Sequence, residues 1–482
     1  MQSKRDQVQA HLFVMGRLAT GMLRGEPDAP DTPSGRTSRG TVTGLVVAVL
    51  VCLGVAVYGA LVPGGATGWR KPGTLVVVKE SGARYLYLDG SLRPVLNEAS
   101  ARLLAGDQLV VDQVSVNSLA GTPRGAPLGI PGAPDGLPAP GRLAAAPWLA
   151  CAVSRPGPSG GRRPELALAV GPGGRGTGLT DSQGALVAAP DGTEYLLWHG
   201  RRLRVDTRDG ARQALGQAAV TAYPVTVAFL NSLAAGPDLA APEVESRGAA
   251  GPQLTAGPTR FGQLFTGPGG DPYLLTPAGL TPLSRMAFEL LRNDLRTQSA
   301  AYGGAAVTPA ALSPADLAGH TAAARPAPAA AGLPAAPPEL VTVPQGRGIC
   351  AELTLTDQAP TTSVTLFDEE AVAGPPPAAQ PGVDPACAGA DSIAVRPGGG
   401  ALVRALSSAG VGGTLYLVTD AGVKYPLASA AAAGQLGYGT VVPSAAPEAL
   451  LTLLPTGPSL DPAALTGGSV PTARTAGPAC AR

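Results

Sequence analysis

The chain has 482 residues and a formal net charge of +1 at pH 7, with 66 glycines and 50 prolines. Its near-neutral charge gives no global positive field, which argues against a nucleic-acid-binding protein. Because 45% of the residues are hydrophobic, the chain can bury a sizeable core, and its length predicts two or three domains beyond any membrane segment.

The first 25 residues predict an amphipathic helix. Gly25 can cap its end, and Pro27 prevents its continuation. Because residues 1–40 hold no domain that could cover an apolar face, this face must lie on a membrane or against a partner. Residues 26–40, rich in Pro, Asp, Ser and Gly, predict a linker. We predict a partner-docking stripe, at helical spacing, formed by Val8, Leu12, Met15, Leu18 and Met22.

The stretch 44–62 predicts a transmembrane helix. It runs for 19 residues without a charge or a strong polar group. As a helix it spans about 28 Å, close to the thickness of a bilayer's hydrocarbon core. A signal peptide has a shorter apolar region that begins nearer the first residue. We therefore predict an uncleaved membrane anchor within 41–63.

The cysteines predict which side of the membrane is oxidising. Cys52 lies within the anchor, and four cysteines follow it: Cys151, Cys350, Cys387 and Cys480. An even number on one side suggests two disulfides in an oxidising compartment. Zinc is the rival interpretation, but the chain has no C-x-x-C pair. Arg36 and Arg39 closely precede the anchor, so the positive-inside rule also places the N-terminal side in the cytoplasm. We predict a cytoplasmic N-terminus and an extracytoplasmic bulk.

A pattern of strand, glycine-bearing turn, strand and helix recurs four times beyond the anchor. Each copy carries a Tyr-Leu pair, at Tyr85, Tyr195, Tyr273 and Tyr416. Since the copies are unevenly spaced, a solenoid is disfavoured. We predict an α+β fold with a single transmembrane helix and four such repeats around a β-rich extracytoplasmic central domain, which is built from discontinuous sequence.

The predicted boundaries follow from these patterns. The repeats occupy 72–108, 182–220, 260–300 and 412–445. The two parts of the central domain occupy 109–181 and 338–411. The remaining segments are a connecting segment at 221–259, an Ala/Pro-rich mobile loop at 301–337, and a C-terminal return segment and tail at 446–482.

Formal motif matches do not support a catalytic or cofactor site. Residues 171–176 match G-x-G-x-x-G, but the sequence after them does not predict the helix that a dinucleotide site needs, so a hairpin turn is favoured. Residues 157–161 match G-x-S-x-G among prolines and arginines, where a nucleophile elbow is improbable. No lysine follows a glycine, which removes the usual phosphate-binding loop. We predict no catalytic residue, no cofactor and no metal.

The chain resembles EccB, the bitopic membrane component of type VII secretion systems. Residues 3–11, the single early membrane helix, a Pro/Gly run at 123–134, the four Tyr-Leu repeats and the paired outer cysteines carry the resemblance. It implies a disulfide between Cys151 and Cys350, and Cys387 and Cys480 would form the remaining pair. It also implies self-association within an inner-membrane complex that contains EccC (the motor ATPase), EccD and EccE, with a mycosin protease nearby.

The resemblance implies a subunit of the type VII secretion membrane complex, and the missing phosphate-binding motif favours a structural subunit over an enzyme. Such a subunit would anchor an extracytoplasmic assembly domain and dock cytoplasmic partners for protein export. Two alternatives stay open. One is an ATP-hydrolysing membrane component, since the family is often labelled an ATPase. The other is a cell-wall-binding membrane protein that uses the repeats as binding modules.

Overall fold

The computed structural model of the chain forms two compact units. They comprise Met1–Leu92 with Val111–Arg124, and Arg93–Val110 with Gly125–Arg482. The residues that the structure describes are 4–25, 33–61, 65–106, 109–144, 147–157, 161–172, 174, 176–207, 210–216, 219–322, 332–355, 360–406, 412–465 and 470.

Two helices begin the first unit. Helix α1 covers Lys4–Arg24, as the amphipathic pattern predicts. Gly25 ends it with a φ of 69°, and the Gly25 N–H donates to the Gly21 carbonyl at 3.0 Å. Helix α2 covers Pro33–Leu61. The linker prediction is therefore wrong for residues 33–40, which are helical. Proline suits a first helical position, because the N–H that it lacks would have no helical partner there.

The first unit also contains a mixed sheet. Its strands have the order β3-β2-β1-β4, where β1 is Leu75–Val78, β2 is Arg84–Leu88, β3 is Ser91–Pro94 and β4 is Val111–Val114. Strand β1 pairs antiparallel with β2 and parallel with β4. The run at 109–111, which the sequence assigns to the central domain, thus leads into this sheet. Parallel pairing joins strands that are remote in sequence, so no local pattern reveals it.

The second unit contains most of the strands. In chain order they are β5 (Trp148–Pro156), β6 (Arg162–Val170), β7 (Thr177–Gly178), β8 (Gln183–Ala188), β9 (Glu194–Trp198), β10 (Arg201–Arg204), β11 (Tyr223–Pro224), β12 (Ala234–Ala235), β13 (Ala250–Leu254), β14 (Gly257–Arg260), β15 (Leu264–Thr266), β16 (Pro272–Thr276), β17 (Gly279–Pro282), β18 (Ala310–Ala311), β19 (Glu339–Leu340), β20 (Arg347–Thr354), β21 (Thr361–Asp368), β22 (Ser392–Val395), β23 (Gly400–Leu406), β24 (Gly412–Thr419), β25 (Lys424–Leu427) and β26 (Ser444–Pro447).

The helices of the second unit are short. They are α3 (Glu98–Ala105), α4 (Ala211–Ala214), α5 (Val227–Asn231), α6 (Arg285–Asn293), α7 (Leu295–Ala301), α8 (Pro314–His320), α9 (Ala430–Ala433) and α10 (Glu448–Leu451). Side-chain caps explain where several of them begin. Asn97, Ser284 and Asp294 each accept a hydrogen bond from a backbone N–H in the first turn of the helix that follows.

A six-stranded central sheet organises the second unit. Its order is β22-β6-β5-β20-β21-β7, so its strands come from two separate stretches, 148–178 and 347–395. Side chains from one face of this sheet, including Trp148, Leu168 and Ile349, enter the largest hydrophobic cluster. The discontinuous arrangement is the one that the sequence predicts for the central domain, although the exact boundaries stay predictions.

The same strand order recurs in four sheets. It reads β3-β2-β1-β4, β10-β9-β8-β11, β17-β16-β15-β18 and β25-β24-β23-β26. In each, a fourth strand follows a helical segment and pairs in parallel with the first strand. The sequence pattern captures the second and third strands of each sheet in chain order and the helix, but neither the first strand nor the parallel fourth strand. The interpretation of the four sheets as copies of one repeat stays a prediction.

The stretch predicted as a mobile Ala/Pro-rich loop contains regular structure. Strand β18 and helix α8 both lie within it. Ser313 and Asp316 form a capping box at the start of α8, which explains why a helix begins there. Residues 323–331 of the predicted loop lie outside the described residues. The stretch after it begins with β19, which pairs in parallel with β8 so that Glu339 lies opposite Gln183.

Candidate functional site

The five residues of the predicted docking stripe all lie on α1 and are exposed. Their spacing of three to four residues places them along one side of the helix. The described part of the chain leaves this face uncovered. The exposed fractions are 58% for Val8, 65% for Leu12, 55% for Met15, 54% for Leu18 and 85% for Met22.

Two further apolar residues of α1 are exposed and are missed by the predicted stripe. Val14 lies one turn before Leu18 and widens the stripe at its edge. Phe13 lies away from the stripe, and the guanidinium carbon of Arg17 stands 5.5 Å from its ring centroid. The signal was present in the sequence as the unbroken apolar run from Leu12 to Met15. The apolar surface of α1 is therefore wider than helical periodicity alone suggests.

Helix α2 contains the predicted membrane span. The part of it that is long and apolar enough to cross a bilayer covers Thr37–Gly59, and none of it is buried against the rest of the chain. At 1.5 Å per residue it is about 34 Å long, enough for the hydrocarbon core of a bilayer. The helix satisfies its own backbone hydrogen bonds, which lipid requires. Among the described residues it is the single candidate span, and its apolar character is confirmed.

A disulfide joins Cys151 to Cys350, as the family resemblance implies. The two cysteines lie opposite each other on the neighbouring strands β5 and β20. Both are fully buried in a cluster on one face of the central sheet that also contains Leu149 and Phe367. The bond links residues that are 199 positions apart. It therefore fastens together the two stretches of chain that build the central sheet.

The other cysteines are accounted for differently. Cys387 also takes part in a disulfide. Cys480 lies outside the described residues, so the pairing of Cys387 with Cys480 stays a prediction. Cys52 is a free, exposed cysteine on α2.

The formal motif matches lie in turns between strands. Gly171 follows β6 with a φ of 59°, and the next element is strand β7 instead of a helix. A dinucleotide site would need a helix N-terminus at that point. The second match lies in the turn between β5 and β6, where Gly157 N–H donates to the Gly161 carbonyl at 2.6 Å, and residues 158–160 lie outside the described set. In the described part of the chain, no group of three or more His, Cys, Asp or Glu could hold a metal.

The Pro/Gly run singled out at 123–134 packs inside the second unit from Gly125 onward. The amide of Asn97 donates to the Ile130 carbonyl, and the Ile130 N–H donates to the Ser100 hydroxyl, both at 2.9 Å. Gly132 has a φ of 82°, and a Cβ there would lie 2.7 Å from the Pro381 carbonyl oxygen. The run is thus a packed loop whose glycine permits close contact with a second Pro-Gly turn.

Two buried ionisable groups have shifted pKa values for structural reasons. Burial opposes ionisation of Asp294, but hydrogen bonds from Thr297 and from the Arg296 N–H, together with the Arg247 guanidinium, lower its pKa. Burial lowers the pKa of Lys424 to about 8. The Lys424 ammonium donates to the Leu451 and Leu454 carbonyls near the end of α10. Both groups stabilise packing and neither lies in a catalytic arrangement.

The chain is similar to known proteins over most of its length. A family model described as "Type VII secretion system ESX-1, transport TM domain B" matches residues 1–471. A Mycolicibacterium smegmatis protein named "ESX-3 secretion system ATPase EccB3" is 28% identical over 481 residues, which cover 95% of this chain and 89% of that protein.

Two solved structures have the same fold. A chain in the periplasmic assembly from the ESX-5 inner membrane complex is 25% identical with a TM-score of 0.63, and the match covers 84% of this chain and 97% of that one. The EccB3 dimer from the ESX-3 core complex is also 25% identical with a TM-score of 0.63, and the match covers 83% of this chain and 100% of that one.

Proposed function

Because the chain belongs to the EccB family of type VII secretion membrane proteins, we propose that it anchors an extracytoplasmic assembly domain and docks cytoplasmic partners. Membership makes it a membrane subunit of the type VII secretion system. The observation that supports partner docking is the exposed docking stripe on α1. An apolar helix face that the described part of its own chain leaves uncovered, next to a membrane span, needs a partner surface or a lipid surface.

The charges of α1 favour a protein partner over lipid. A helix that lies on an anionic membrane concentrates Lys and Arg on its polar face. On α1, Arg5 and Arg17 are accompanied by Asp6, Gln7 and Gln9 instead. This mixed polar face suits a protein interface with a polar rim. We infer that the partners are the EccC, EccD and EccE subunits, with a mycosin protease nearby.

The disulfides favour an extracytoplasmic placement for the bulk of the chain. Structural disulfides persist in oxidising compartments, and the Cys151–Cys350 bond is buried in the central sheet. One similar chain belongs to a periplasmic assembly, which agrees with this placement. We infer that the N-terminus, with α1, is cytoplasmic. Self-association in the assembled complex is inferred from the dimer that a similar chain forms.

The alternative of ATP hydrolysis rests on the word "ATPase" in the name of the Mycolicibacterium smegmatis relative. The two loops that match catalytic motifs connect strands, and neither presents a helix N-terminus to a phosphate in its described residues. No lysine in the sequence follows a glycine, as the usual phosphate-binding loop requires. We infer a non-catalytic, structural role.

The docking role is tested with substitutions in α1. We expect Leu12→Asp with Met15→Asp to release the partner subunits from the tagged, detergent-purified protein, because carboxylates cannot be buried unpaired in an interface. The protein should stay in the membrane fraction through α2. Phe13→Asp is the matched control, since Phe13 is equally exposed but lies off the stripe, and it should leave the complex intact.

The substitution Leu12→Trp distinguishes a protein partner from a lipid surface. Leu12→Trp keeps the hydrophobicity but overfills a packed site, so a protein partner should be lost or bound more weakly. Lipid should accept the larger side chain. Normal recovery of the complex from the tryptophan variant, together with its loss from the aspartate variant, would favour lipid and refute the proposed protein interface.

A further inference from the structure

Three loops meet at one edge of the central sheet and enclose a cavity of about 320 Å³. Strands β6 and β22 are parallel, with Val170 opposite Val395, so the loops that follow them emerge at the same edge. The segment before β5 reaches this edge too, because Trp148 lies opposite Val170 in the antiparallel pair. The ends of β6 and β22 and the start of β5 therefore lie together at this edge.

Two arginines line the cavity, and we name it the arginine cleft. Arg396 directly follows β22, and Arg142 ends a short 3₁₀ helix, Pro140–Arg142. Among the residues that the structure describes, the rest of the lining carries no acid: Leu143, Ala144, Pro147, Val170, Gly171, Pro172, Gly399 and Gly400. Both arginines belong to the second unit, and both are exposed.

Glycines bring the two arginine-bearing segments together. A Cβ at Gly399 would lie 2.8 Å from the Arg396 carbonyl oxygen and 3.5 Å from the Arg142 carbonyl oxygen. A Cβ at Gly398 would lie 3.9 Å from Nη1 of Arg142, so this guanidinium stands beside the turn that follows Arg396. The Arg142 guanidinium and the backbone of Arg396 therefore lie at one short turn, and both arginines line the cavity.

Backbone hydrogen bonds fix the walls of the arginine cleft. The Ala144 N–H donates to the Gly400 carbonyl at 2.7 Å, and the Gly171 N–H donates to the Pro147 carbonyl at 3.0 Å. Asp420 accepts from the Gly398 N–H at 2.7 Å but does not line the cavity. The site is thus formed before any ligand binds, which lowers the entropic cost of binding.

The two guanidinium groups have no carboxylate partner among the residues that the structure describes. Several other arginines of the second unit do, for example Arg204 with Asp238 and Arg212 with Glu194. Like charges that share a cleft repel each other, and a bound anion converts that repulsion into attraction. The arginine cleft therefore has electrostatics that favour an anion.

We propose that the arginine cleft binds the phosphate group of a small molecule. A phosphate offers at least three acceptor oxygens and up to two charges, which matches two guanidinium forks, whereas one carboxylate satisfies a single fork. Recognition rests on the two side chains, because the neighbouring glycine loop leads into a strand and presents no helix N-terminus. This inference is independent of the docking role of α1.

Calorimetric titration of the full chain in a non-ionic detergent tests the proposal. The probes are inorganic pyrophosphate and glycerol 3-phosphate, the second representing a phospholipid headgroup. We expect at least one probe to bind, Arg142→Gln and Arg396→Gln each to weaken it roughly tenfold, and the double variant to abolish it. Arg404→Gln, an exposed arginine on β23 outside the cleft, is the matched control and should bind as the unchanged protein does.

The better-binding probe identifies the source of the phosphate, and either result supports the site. Binding should also weaken as salt rises. Thermal unfolding without ligand should be the same for all variants, since both arginines are exposed and unpaired within the described chain. Failure of both probes to bind at millimolar concentration, or equal binding by the double variant, would overturn the proposal.

Discussion

At the scale of single residues, the Arg247–Asp294 pair is the most deeply buried ion pair among the described residues. The Asp294 side chain is fully buried and that of Arg247 is 9% exposed. Asp294 also accepts from the Thr297 hydroxyl at 2.9 Å and caps α7. The sequence could reveal the cap, because Asp before a helical segment is a common start signal. It could not reveal the pair, whose members are 47 positions apart.

We expect Asp294→Ala to lower the free energy of unfolding by about 3–5 kcal/mol, because it leaves the Arg247 charge buried without a partner. Asp238→Ala is the control. It removes one partner of the Arg204–Asp238 pair, whose side chains are about half exposed, so it should cost less than about 1 kcal/mol. Denaturant unfolding of the two variants in detergent measures the difference. Equal costs would contradict the structural importance of the buried pair.

Lys424 gives the second prediction at this scale. Burial lowers its folded-state pKa to about 8 from an ordinary value of 10.5. Between these values the unfolded chain binds more protons than the folded chain, so the contribution of Lys424 to the free energy of unfolding rises with pH. We expect the stability difference between the unchanged protein and Lys424→Met to shift by up to about 3 kcal/mol in favour of lysine from pH 8 to pH 10.5.

The measurement is denaturant unfolding of both proteins across that pH range. A difference that stays flat would show that the lysine keeps its ordinary proton affinity. Methionine is the appropriate replacement, because it keeps most of the apolar stem of the buried Lys424 side chain. The carbonyls of Leu451 and Leu454 lose their donor equally at every pH in the variant.

At the scale of elements, the length of a strand or helix decided whether the sequence could reveal it. Strands β9 and β16 contain the Tyr-Leu pairs and were visible as apolar runs between turns. Strands β11 and β18 have only two residues each and pair in parallel with remote partners, so they leave no periodic signal. Helix α8 was hidden by its Ala/Pro-rich surroundings, although its capping box was readable from Ser313 and Asp316.

The disulfides give the prediction at this scale. Closing 199 residues with the Cys151–Cys350 bond contributes about 5 kcal/mol in the chain-entropy model. We expect non-reducing peptide mapping to recover that bond and a second one between Cys387 and Cys480. Replacing Cys151 and Cys350 by alanine should strongly lower the unfolding temperature, whereas Cys52→Ala should not, because Cys52 forms no disulfide. Free thiols at Cys387 or Cys480 in protein from its native compartment would contradict the second pairing.

At the scale of the whole molecule, the sequence predicted the family, the α+β class and the single membrane span. These rest on strong local signals, namely a long apolar helix and a distinctive N-terminal block. The arginine cleft was not predictable, because Arg142 and Arg396 are more than 250 positions apart in sequence. The pairing of β5 with β6 and that of β6 with β22 together bring their segments to one edge. A site assembled by long-range pairing becomes visible only in the folded chain.

The pairing of β8 with β19 has a consequence for how this molecule can diversify. Gln183 and Glu339 lie side by side at the two ends of a stretch of more than 150 residues, part of which packs against the central sheet through Phe229 and Leu230. The long segment between them therefore begins and ends at one point of the fold, as a closed loop does. Lengthening or shortening its outer part adds little closure entropy. Changes of length in that outer part can thus leave the register of the central strands the same.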